Sequence, residues 1–129
     1  MSTNKTPIFK LSTQNTTYAF CVTETGHLEH LYYGKKIKID EDSVQAMKEK
    51  HAFAPGCAIY YDDKQKHVAL EDMCLEMSSY GKGDIREPFL EVVHEDGSIT
   101  SDFLYEKAEV TTGKEAFETL PGSYDEENM

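Results

Sequence analysis

The sequence predicts an all-β domain, mainly an antiparallel β-sandwich, with at most one short helix. Three observations predict it. Tyr18, Phe20 and Val22 alternate with Ala19, Cys21 and Thr23, the period-two pattern of a strand with one apolar face. Glu24-Thr25-Gly26 and Glu95-Asp96-Gly97 are tight-turn signals, because glycine tolerates the positive φ of short hairpin loops. Helical spacing shows in one stretch only, residues 40–50. Strands without regularly alternating helices argue for a sandwich over an α/β fold.

Taken in order, Phe9 and Leu11 mark a first strand, followed by the strand at 18–23. Residues 27–33 return after the Gly26 turn, and Gly34 ends that strand. In 40–50, Val44, Met47 and His51 fall at helical spacing and Ser43 is a candidate cap; the polarity of the stretch makes a loop the competing reading. Ala54-Pro55-Gly56 stops it. Residues 57–61 form a short apolar run and 62–67 an exposed loop. A strand is expected at 89–94, a turn at Glu95-Asp96-Gly97, and a second strand at 98–112. Ile99, Phe103, Tyr105 and Val110 alternate in the latter, with a bulge near Leu104. Gly113-Lys114 opens a loop, and from Glu115 onward the chain turns polar. No repeat, low-complexity tract or linker divides it, so 1–129 reads as a single domain or part of one.

The formal net charge is −11, from 13 Lys+Arg against 24 Asp+Glu. That balance opposes phosphate backbones and anionic membrane surfaces, which call for clustered cations. Nucleic-acid and membrane partners are therefore not expected. Apolar residues make up 39% of the chain, enough for a modest core. Cys21, Cys57 and Cys74 are odd in number and lack C-x-x-C spacing, so neither a disulfide framework nor a zinc site is indicated. Met1 is followed by no apolar signal-peptide core, and no run reaches membrane-span length. The expected location is the reducing cytoplasm.

Candidate chemistry is sparse. His27 and His30 lie three apart, which on a strand sends them to opposite faces, and no ligand-spaced partners support them; no metal site is expected. Cys21 and Cys57 read as buried thiols, and Glu71 and Asp72 disfavour a thiolate at Cys74. Among 24 acidic residues a carboxylate pair cannot be picked out by position. The motif Tyr80-Gly81-Lys82-Gly83-Asp84-Ile85-Arg86-Glu87-Pro88 superficially suggests a phosphate loop, but lacks the further glycine and helix that such a loop uses. It reads instead as a structural loop: Gly81 and Gly83 permit a sharp turn, Asp84 and Arg86 cross-brace it, and Pro88 fixes entry into the next strand. The adjacent pairs Tyr32-Tyr33 and Tyr60-Tyr61 should each put one ring outward, as sugar platforms or as contacts to another domain or subunit.

Three blocks carry a resemblance: residues 80–88, His27-Leu28-Glu29-His30-Leu31-Tyr32-Tyr33-Gly34, and Gly113-Lys114 with Leu120-Pro121-Gly122-Ser123-Tyr124. In their order along the chain and at similar separations, from about Phe9 to Asp125, they resemble the extreme N-terminus of α-galactosidases of glycoside hydrolase family 36. The resemblance implies part of a large β-supersandwich ahead of a catalytic (β/α)8 barrel. A barrel needs roughly 250 residues, so this chain is read as a truncated front domain without catalytic residues of its own. The activity implied for the whole enzyme is hydrolysis of terminal α-galactosyl groups from melibiose and raffinose-type sugars, with retention and without metal or organic cofactor. The partners implied are the barrel of the same polypeptide and further copies in a homo-oligomer. Family members place a projecting region at the active-site rim, often carrying Asp or Arg; Lys50, His51 and Lys66 stand near those places here. Lys66, and after it His51, are the candidate rim residues. Two rival readings are a free-standing sugar-binding or protein-interaction module, and the front domain of another glycosidase or a sugar phosphorylase.

Overall fold

Period-two alternation builds three strands, β1 (Ile8–Ser12), β2 (Thr16–Val22) and β3 (Leu28–Lys35). The computed structural model describes residues 6–48, 59–111 and 117–121. The strands form one antiparallel sheet in the order β1-β2-β3, with Phe9 opposite Phe20 and Tyr18 opposite Tyr33. Between β1 and β2 the Thr13 hydroxyl accepts from the Thr16 amide at 3.0 Å and closes a turn that composition alone did not flag. Between β2 and β3 the Gly26 amide reaches Thr23 O at 3.1 Å, and Gly26 has φ +90°.

The two faces of the sheet differ. Thr17, Ala19 and Cys21 are buried, and Ala19, Cys21 and Leu31 pack with Val44 of the helix as the core. A bulge at Ala19/Phe20 shifts the register of β3, and both Leu31 and Tyr32 join this buried side. The other face carries aromatic rings: Phe9 stacks on Phe20 at 4.9 Å, and Tyr18 meets Tyr33 edge-on at 6.0 Å. Tyr33 remains 70% exposed there.

The short helix, α1, spans Glu41–Met47. Its cap is Asp40 and not Ser43: the Asp40 carboxylate accepts from the Ser43 amide at 2.8 Å and from the Ser43 hydroxyl at 2.6 Å. Those bonds hold the Asp40 carboxyl below its usual range. A 3-10 turn at Leu70–Asp72 follows and buries Leu70 completely.

The strands expected at 89–94 and 98–112 do not form among the described residues. The turn between them does: Gly97 N donates to His94 O and His94 N to Ser98 O, both at 2.9 Å. Beyond it the backbone groups bond elsewhere. Phe89 N donates to Ser78 O, Ser101 N to Tyr80 O and Tyr105 N to Gly26 O. Alternation chooses which side of a strand is apolar, but a ladder also needs a partner at the right register. These segments spend their donors on loops and on the β2–β3 turn. Among the described residues the result is an all-β domain of antiparallel strands with one short α-helix, overlaid by largely irregular chain over 59–111.

Candidate functional site

Residues 80–83 turn through a run of positive φ: Tyr80 at 48°, Gly81 at 148°, Lys82 at 54° and Gly83 at 90°. Reciprocal bonds between Gly81 and Asp84, at 3.1 and 3.0 Å, close the turn. The glycines are sterically required. A Cβ on Gly81 would sit 2.5 Å from Thr100 Cγ2, and one on Gly83 would sit 2.9 Å from Ile59 Cγ2.

Asp84 is the buried anchor of the loop. Its Oδ1 accepts from Arg86 Nε at 2.8 Å and from the Arg86 amide at 3.2 Å, and its Oδ2 accepts from Ser78 Oγ at 2.7 Å. Burial works to raise its carboxyl, but the bonds from Arg86 and Ser78 outweigh that and hold it below the usual range. Arg86 continues outward, donating from Nη1 to Met73 O at 2.5 Å and from Nη2 to Leu70 O at 2.8 Å. The side-chain pair thus fastens the loop to the 3-10 turn. Beside it opens a cleft of about 410 Å³, lined by Tyr80, Ile85, Arg86, Glu87, Pro88, Glu91 and Ile99.

Lys66 lies on an exposed loop anchored by Asp62, whose carboxylate accepts from the amides of Lys64 and Gln65, both at 2.8 Å. Its ammonium sits 5.5 Å from the centre of the Tyr60 ring, a cation–π arrangement. His51 falls outside the described residues. Lys66 and the loop at 80–88 do not share the cleft.

The histidines have separate partners. His27 Nε2 lies 2.7 Å from Asp102 Oδ1, and its Nδ1 lies 2.8 Å from the Thr25 hydroxyl. His30 Nδ1 lies 2.8 Å from Glu76 Oε1, and His67 Nε2 lies 2.5 Å from Glu24 Oε1. Each pair clasps the β2–β3 hairpin to the irregular chain that overlays it. Two tyrosines complete the carboxylate shells: Tyr61 donates to Asp102 Oδ2 at 2.6 Å, and Tyr18 donates to Glu76 Oε2. Burial and these carboxylate contacts push both phenols up to about 12. Cys21 is buried, which raises its thiol pKa, while Cys74 is exposed. Among the described residues no group of three or more His, Cys, Asp or Glu could hold a metal ion.

Sequence reasoning missed Tyr80 as a cleft residue, and it missed Asp102 and Glu76 as partners of histidines. Tyr80 could have been found by its place before a glycine in a turn, where a large aromatic is out of character. Asp102 carries no such signal. It is one acid among many until folding brings it to His27.

Residues 26–129 match the family described as the glycosyl hydrolase family 36 N-terminal domain. The chain is 32% identical over 120 residues to the bifunctional alpha-galactosidase/sucrose kinase AgaSK of Mediterraneibacter gnavus, covering 93% of this chain and 12% of that protein. It is 27% identical over 120 residues to the alpha-galactosidase AgaA of Geobacillus stearothermophilus, covering 93% of this chain and 16% of the relative. A crystal structure of an AgaA variant in complex with raffinose superposes with a TM-score of 0.76, at 27% identity, over 93% of this chain and 16% of that one. The galactosidase domain of AgaSK superposes with a TM-score of 0.74 at 30% identity, over 89% of this chain and 16% of that one. A family match over most of the length, and superposition on two α-galactosidase structures, lead to one assignment: the chain belongs to the N-terminal domain family of glycosyl hydrolase family 36.

Proposed function

We propose that the chain is the non-catalytic front of an α-galactosidase that removes terminal α-D-galactosyl groups from melibiose- and raffinose-type oligosaccharides with retention. The observation that carries this reading is the agreement of two α-galactosidases with 93% of the chain, one of them also at a TM-score of 0.76. The chain spans 12% and 16% of the length of these relatives. A retaining glycosidase needs two carboxyl groups facing one glycosidic bond across a substrate cleft. The buried carboxylate of Asp84 is bound by Arg86 and Ser78, and Asp102 is bound by His27 and Tyr61. These acids serve as braces, and the reacting pair is assigned to a (β/α)8 barrel of the same polypeptide.

The domain's role in this reading is architectural. Its half-exposed aromatic face suits packing against further strands, the barrel or another subunit. In this reading 1–129 is a partial β-sandwich, and the enzyme it fronts is a cytoplasmic homo-oligomer. Lys66, with Tyr60 beneath its ammonium, is assigned to the rim of a neighbouring subunit's site, and His51 is the second candidate there.

The test is an assay of the 129-residue chain beside the longer enzyme it would front, with raffinose as substrate and the released anomer read by NMR. The longer enzyme should release α-galactose, and the chain alone none. Galactose release by the purified chain, or inactivity of the longer enzyme, would overturn the reading. Lys66→Ala in the assembled enzyme should lower kcat/KM for raffinose; an unchanged value removes Lys66 from the rim.

A further inference from the structure

We infer that the cleft beside Tyr80 binds a neutral sugar ring, with Tyr80 as the stacking platform and Glu87 and Glu91 accepting hydroxyl hydrogen bonds. The first support is an imbalance at Tyr80. Its backbone lies in the left-handed region, φ 48°, which glycine or asparagine occupies at much lower cost. Burial does not offset that cost, since the residue is 42% exposed. Backbone strain kept where packing gains little gathers at binding sites.

The second support is the cleft itself. Its volume of about 410 Å³ falls within the range of small-ligand sites. Tyr80 and Ile99 supply apolar surface for the C–H face of a pyranose, and Glu87 and Glu91 supply acceptors for its hydroxyls. Charge then selects the ligand. Arg86 also lines the cleft, but its guanidinium is paired with Asp84 at 2.8 Å, which leaves the two glutamates to set the sign. An anionic ligand such as a sugar phosphate is repelled, and a neutral saccharide is not. The choice of a galactoside as that saccharide rests on the α-galactosidase reading above; the site itself does not.

Saturation-transfer NMR on the 129-residue chain tests this with galactose, raffinose, maltose and a sugar phosphate as probes. Wild type should transfer magnetisation to ring protons of a neutral sugar and not to the sugar phosphate. Tyr80→Asn, which suits a left-handed backbone, should keep or raise the thermal midpoint while weakening binding about tenfold, as loss of one stacking contact implies. Glu91→Gln should weaken binding with the midpoint unchanged. Transfer to maltose but not to galactosides supports the cleft while counting against the α-galactosidase reading. Absence of transfer to any of the neutral sugars, equal transfer in Tyr80→Asn, or equal binding of the sugar phosphate would each overturn the inference.

Discussion

The imidazole of His27 and the carboxylate of Asp102, 75 positions apart, meet at 2.7 Å and join the β2–β3 turn to the irregular chain. The contact continues in both directions. Thr25 lies 2.8 Å from the other ring nitrogen, Thr23 lies 2.9 Å from Thr25, and Tyr61 donates to the second Asp102 oxygen at 2.6 Å. One carboxylate thereby organises two loops on a hairpin.

Removing either partner of that contact should detach those loops without melting the sheet. His27→Ala and Asp102→Ala are each expected to lose about 1–3 kcal/mol, and together less than the sum, because both break one network. A double-mutant cycle by urea unfolding measures the coupling. Strict additivity would show that the two residues stabilise independently.

Asp84 predicts an acid-side dependence. Its folded carboxyl is held below its unfolded value, so its contribution is present above about pH 4 and fades as pH falls through the folded value. Asp84→Asn should cost about 2–4 kcal/mol near neutral pH by leaving Arg86 without its partner. That difference should shrink in strong acid, where the wild-type carboxyl is also protonated. A gap that stays constant across this range would rule out the carboxylate as the source.

The loop glycines should rank by the space around them. Gly81→Ala and Gly83→Ala force a Cβ to within 2.5 and 2.9 Å of neighbouring side chains, and are expected to cost about 2–4 kcal/mol. Gly97 also has positive φ, +82°, but a Cβ there meets nothing within 4 Å. Gly97→Ala should therefore cost only about 1 kcal/mol. Thermal midpoints in that order bear out the clamp, and equal losses at the three positions refute it.

Tyr18 and Tyr61 predict an alkaline limit. Their folded values of about 12 exceed the unfolded value near 10, so their contribution is present below about pH 10 and lost as pH rises through the folded value. Tyrosinate absorbance should rise in two waves, the later one coinciding with loss of the β-sheet signal. Tyr18→Phe or Tyr61→Phe should shrink that later wave and move alkaline unfolding upward. A single wave at the ordinary phenol value would contradict the buried contacts.

Local chemistry carried much of the sheet. Tyr18, Phe20 and Val22 placed β2, Gly26 placed its turn with β3, and Phe9 and Leu11 placed β1, since alternation and turn residues act within a few positions of one another. The same alternation in 89–94 and 98–112 announced strands that do not form among the described residues. A ladder depends on a partner that no stretch of sequence names, and here Ser78, Tyr80 and Gly26 took the backbone bonds. Of the site residues, Gly81, Gly83, Asp84 and Arg86 make their turn within a few residues of one another, the range over which sequence carries a signal. Tyr80 beside a cleft and His27 against Asp102 were not legible, because those contacts are made across the fold.

Composition, turn chemistry and the three motif blocks determined from the sequence alone that this is an all-β domain of the family 36 N-terminal type. Tertiary structure alone decided that Asp84 is buried, that His27, His30 and His67 have separate carboxylate partners, and that Tyr80 is strained and left half open. The division follows the range of the forces. Backbone geometry and side-chain alternation act between near neighbours, whereas burial and ion pairing depend on whatever distant chain folding delivers.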